Sequence, residues 1–98
     1  MKADYDSNAN AISIKLADVK HADYGDPIDE RLSAIVAIAD GEAIEVQVLC
    51  VDVGVEEPLR IVAQRYDLDA EALIAAAQAA LAAPDRPVTL DVGVRAAA

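Results

Sequence analysis

Hydrophobic and polar positions follow two regimes that meet near Gly54. Before it the dominant period is two; after it the period is helical. The strongest signal of the first kind is Leu32–Asp52, LSAIVAIADGEAIEVQVLCVD, in which two apolar runs flank Asp40-Gly41. Asp-Gly between β-prone runs predicts a tight hairpin, because both turn positions need positive φ. In the second run Ile44, Val46, Val48 and Cys50 face one way, and Glu45 and Gln47 the other. That is a half-buried antiparallel strand, with Cys50 read as a small buried hydrophobe. The first run is apolar on both faces, with Leu32, Ala34, Val36 and Ile38 on one and Ile35, Ala37 and Ala39 on the other. Such a run predicts a central strand covered on both sides.

Upstream, Lys2–Asp6 and Ala11–Leu16 read as two strands joined by the polar turn Ser7–Asn10. Ala3 and Tyr5 share one face of the first strand. Ile12, Ile14 and Leu16 point inward from the second. The segment Ala17–Pro27, ADVKHADYGDP, predicts a short charged edge strand around Lys20–Tyr24. After Gly54, Pro58 suits a first helical turn and Glu56 and Glu57 suit its positive end. Leu59, Val62, Ala63 and Tyr66 then mark one buried face. Asp69 predicts an N-cap, and Leu68 with Leu73 a hydrophobic staple, for a second helix from Ala70 to about Ala83. Leu73, Ala76, Ala77, Ala80 and Leu81 form its small-residue face. Asp85–Pro87 reads as a turn, Val88–Val94 as a strand-like tail and Arg95–Ala98 as a fraying end.

The predicted fold is therefore α+β and a single domain over residues 1–98. A four-stranded antiparallel β-meander (1–53) precedes an αα-hairpin packed on one face (54–83) and a short C-terminal strand-like tail (84–98).

Composition sharpens this picture. With no Phe and no Trp, the core must come from Ile, Leu, Val and Ala. Such side chains bury little area each, so a second subunit is expected to add stability and the chain to form a homodimer. The formal charge is -10, from 18 acids and 8 bases. That balance speaks against nucleic acid and anionic membranes and favours a basic partner protein. No apolar run approaches membrane-spanning length, and MKADYD carries no hydrophobic signal core, so a cytoplasmic location is expected.

The chemistry-bearing residues are few. His21 is alone, and Cys50 has no partner for a disulfide. No phosphate loop, nucleophile elbow or metal-binding helix motif is present, so no catalytic residue, cofactor or metal is assigned and an enzyme is not expected. Asp23, Asp26, Asp29 and Glu30 cluster around Gly25 and Pro27 without the register of a calcium loop. Two helices over Leu59–Leu81 resemble a helix-turn-helix in outline. The second carries Glu71 and Gln78 and no cation.

Tyr5-Asp6, then Ala11-Ile12-Ser13-Ile14-Lys15-Leu16, then Asp40-Gly41 and the run Ile44–Leu49 resemble the small bacterial family catalogued as domain of unknown function 2283, over about residues 1–52. That family's pattern has Gly where this chain has Glu45 and Glu where it has Gln47. If that Glu serves a site in the family, Gln47 keeps its shape without its charge. The resemblance implies a small antiparallel sheet and no established activity. It also implies an antitoxin-like partnership with a small toxin, as suspected for some relatives.

The functional expectation is a non-enzymatic protein-association module, a homodimer or the antitoxin-like partner of a basic protein. Its expected contacts are Asp23, Asp26, Asp29 and Glu30 in the acidic loop and Leu73, Ala77 and Leu81 on the second helix. The alternatives are a helix-turn-helix DNA-binding regulator and a small metal- or ligand-binding domain using the acidic loop.

Overall fold

Two β-hairpins, joined side by side rather than end to end, build the sheet. The structure, a computed structural model, describes residues 1–18 and 21–91. The first hairpin is β1 (Lys2–Asp6) with β2 (Ala11–Lys15). Its turn is set by the Asp6 carboxylate, which accepts the amides of Asn8 (3.0 Å) and Ala9 (3.2 Å). The second hairpin is β4 (Ala34–Ala39) with β5 (Glu42–Leu49). Asp40 (φ 52°) and Gly41 (φ 77°) both take the positive φ that the Asp-Gly signal predicted. The short strand β3 (Tyr24–Pro27) lies outside β4, and β6 (Val88–Thr89) lies outside β1.

The α+β class is as the patterning predicts, but among the described residues the sheet has six strands, not four, and it is not a meander. Its order is β3-β4-β5-β2-β1-β6, every pairing antiparallel. The chain leaves β2 and returns at the far edge, so β2 pairs with β5, Ile12 opposite Val48 and Ile14 opposite Val46. The fully buried row on β5 explains this, since Val46 and Val48 have apolar neighbours on both sides only when β2 and β4 flank them.

The third strand falls at Tyr24–Pro27 instead of Lys20–Tyr24. Val19 and Lys20 lie outside the described residues. The strand carries Gly25 and Pro27, residue types depleted in strands, which hid it. Gly25 also sits where a Cβ would lie 3.2 Å from the Ile35 side chain. Among the described residues the expected tail strand spans Val88–Thr89, and Leu90 N–H donates to the Met1 carbonyl at 2.8 Å just after it. The predicted continuation through residues 92–94 and the fraying end at 95–98 lie outside the described residues.

One face of the sheet carries the core. Ala3, Ile12, Ile14, Ala34, Val36, Val46 and Val48 are all buried there. The opposite face bears Asp4, Ser13, Lys15, Glu45 and Gln47, with Ile35 and Ala37 only half-buried. The expectation that the first run of the hairpin is covered on both sides is thus corrected: the helices occupy one face. Leu32 is not on the strand either; it adopts φ 56° in the preceding turn and is 48% exposed.

Helix α1 (Glu56–Tyr66) buries Pro58, Leu59, Val62 and Ala63. It stops at Asp67, whose φ of 55° turns the chain, and Leu68 N–H caps the Ala63 carbonyl at 2.9 Å. Helix α2 (Ala70–Leu81) starts as predicted, with the Asp69 carboxylate accepting Ala72 N–H at 3.2 Å. It ends two residues before the expected Ala83. There Ala83 N–H reaches back only to the Ala80 carbonyl, a tightened last turn ahead of Pro84. Leu73, Ala76, Ala77 and Ala80 are fully buried, which brings α2 close to β1 and β2.

Candidate functional site

The four carboxylates of the acidic loop do different jobs. Asp23 accepts the Asp40 amide at 2.9 Å and so steadies the Asp-Gly turn. Asp26 accepts a hydrogen bond from the Tyr66 hydroxyl and pairs with the Arg65 guanidinium at 3.6 Å. Asp29 accepts the Ser33 amide (3.0 Å) and hydroxyl (2.5 Å). The Ser33 hydroxyl, then its amide, hold the Asp29 carboxyl below the usual carboxylate range. Glu30 is exposed and takes no part in these ties. The loop is thus chiefly a set of internal ties. Among the described residues no group of three or more His, Cys, Asp or Glu side chains could hold a metal ion.

The helical half of the expected contact set is also redistributed. Leu73 and Ala77 are fully buried against the chain's own sheet, which corrects their assignment as partner contacts. Leu81 is half-buried and packs on the same core. The periodicity that marked this face could not distinguish a sheet from a second subunit, since both bury the same stripe. The solvent side of α2 presents Glu71, Ala75 and Gln78. The cations of the αα-hairpin are both engaged, Arg60 with Glu71 at 3.0 Å and Arg65 with Asp26.

The Asp26–Tyr66–Arg65 group fastens the edge strand β3 to the end of α1, and Arg65 Nη2 adds a bond to the Ile28 carbonyl at 3.1 Å. Burial, then the Asp26 carboxylate, push the Tyr66 hydroxyl up to about 12 from its ordinary 10.0. The folded state therefore holds this proton more tightly than the unfolded chain. The corresponding stability is complete below pH 10 and is lost as pH rises through about 12. Denaturant unfolding of Tyr66→Phe against the parent, from pH 8 to 12, should show a shallower alkaline loss in the variant. Parallel curves would remove Tyr66 as the titrating group.

Sequence patterning missed the main concavity. Strand pairing ends at Leu49, and the next residue, Cys50, takes φ 54°. That turn corrects the expectation of a buried thiol: Cys50 is exposed. A 3-10 turn over Val51–Val53 follows, and Gly54 leaves it at φ 107°, a conformation suited to glycine. The result is a shelf carrying Val53, which is 83% exposed. Between this shelf, the Asp29–Ser33 turn and the flank of α1 lies a concavity of about 580 Å³. Leu49, Val53, Pro58 and Ile61 give it apolar walls. Asp29, Glu30 and Glu57 line it with acid, against the single cation Arg31. A shallower depression of about 410 Å³ continues along α1 through Glu57 and Ile61 to Gln64. The available signal was register: Val53 and Ile61 are apolar residues off the buried stripe of their segment.

Among the described residues no buried side chain is polar or charged. No helix among them is long and apolar enough to cross a membrane. No protein-family model, no curated protein and no solved structure matches this chain.

Proposed function

We propose that this protein is a non-enzymatic association module that docks a basic partner protein. The observation that carries this reading is the concavity beside α1, apolar in its walls and acidic in its lining, on a chain of net charge -10. Apolar contact supplies affinity, while complementary charge speeds encounter and selects the partner. The first-half resemblance to domain of unknown function 2283 extends the same reading to an antitoxin-like role. It adds no residue to the site.

The test is recovery of the native complex from source cells at low salt, with its mass and components determined. The expected result is one stoichiometric basic protein, released as salt rises because exposed charge pairs are screened. Recovery of this chain alone, as a monomer or self-associated, would overturn the reading.

A further inference from the structure

We infer that the partner's docking element is a basic amphipathic helix, seated along the flank of α1 in the trough that runs from Val53 to Gln64. The inference rests on the association reading above and names the chemistry of its occupant.

Three observations choose a helix. First, the trough follows α1. Glu57, Ile61 and Gln64 stand four and three residues apart, so they form one stripe on a single helical face. A second helix laid beside that stripe can insert its side chains between them at ordinary interhelical spacing. Secondly, the stripe is open where the apolar face of α1 is closed. Leu59, Val62 and Ala63 are spent on the core, whereas Ile61 is 36% exposed and Val53 83%. Thirdly, the sheet edges make poor seats for an added strand. β6 has two residues, and β3 has four, including Pro27, which has no N–H to offer.

Charge chooses the sign. Glu30, Glu57 and Asp29 face the trough, and Glu56 lines its shallower end. Arg31 and Arg60 are the cations there, and Arg60 is already paired with Glu71. An incoming helix with apolar residues at i, i+3 or i+4, and i+7, flanked by Lys or Arg, meets both the walls and the lining. An acidic helix of the same apolar pattern is repelled.

The experiment selects binders to the full-length protein from a displayed library of short helical peptides with randomised surface positions. Selected peptides are then titrated against the parent and against Ile61→Lys and Glu57→Lys. Both substitutions are at exposed positions and leave the core untouched, and thermal unfolding checks that each variant folds. The expected outcome is a consensus of apolar i, i+3/i+4, i+7 anchors with flanking Lys or Arg. Binding should fall at least about tenfold in Ile61→Lys, and by a smaller, salt-sensitive amount in Glu57→Lys. Selected peptides without that pattern, or peptides that bind Ile61→Lys as tightly as the parent, would overturn the inference. The native partner separates the two levels. A stoichiometric basic partner that still binds Ile61→Lys removes the trough and leaves the association reading standing. Absence of any partner complex removes the association reading itself.

Discussion

Leu73→Ala should lose about 2–5 kcal/mol of stability, the range for truncating a buried leucine in a core that cannot fully collapse. Leu73 is fully buried, on the helix that roofs β1 and β2. It also stands one turn into α2, at the position where a hydrophobic staple meets the residue before the cap, here the buried Leu68, so its loss should loosen the helix start as well as the core. There is no Phe or Trp to refill the space. For a domain of this size the loss corresponds to a fall in Tm of the order of 10–30 °C. Urea and thermal unfolding measure it directly. A partner-contact role would give another signature, an unchanged Tm with weakened association, and that result would contradict the burial described here.

Ala77→Leu tests the same interface from the other side. Ala77 and its neighbours Ala76 and Ala80 are fully buried, and the small faces let α2 sit close to β1 and β2. Three extra carbons must find room within that close packing. The helix must lift or neighbouring side chains must leave their rotamers, at about 1–3 kcal/mol or more. The expected result is a lower urea midpoint without gain of affinity for any peptide. A variant as stable as the parent would show slack beneath α2. Together the two substitutions bracket the seat: one makes a hole, the other overfills it.

Legibility in the sequence tracks the range of the interaction that decides each feature. The Asp40-Gly41 turn, the alternation along Ile44–Val48, the Asp69 cap and the buried stripe Leu59–Val62–Ala63 are local, and each was readable from a few residues. Strand order is not local. Nothing within Ala11–Lys15 announces that β2 lies beside β5 rather than β3; that follows from which apolar rows complete one another. Cys50 was misplaced because alternation cannot report the left-handed residue at which the strand ends. The acidic residues at 23, 26, 29 and 30 were visible as a cluster. Their separate tasks emerge only where Asp40, Tyr66 and Ser33 come to meet them. The trough was hidden for a related reason. Its walls come from the outer side of β5, a 3-10 turn and the polar flank of α1, three places where period-based reading expects solvent.

Because β2 pairs with β5 rather than with its successor, the sheet cannot be zipped up from one end. Each hairpin closes over a short turn and can form within microseconds. Their union must wait for the intervening chain to bring distant segments together, which is the entropically slower event. Until then the rows Ile12–Ile14 and Val46–Val48 are two sticky margins looking for each other. In that interval they can also find the margins of other nascent chains, the common route to aggregation. The strong negative charge acts at this stage too, since mutual repulsion keeps half-built copies apart while docking within one chain proceeds.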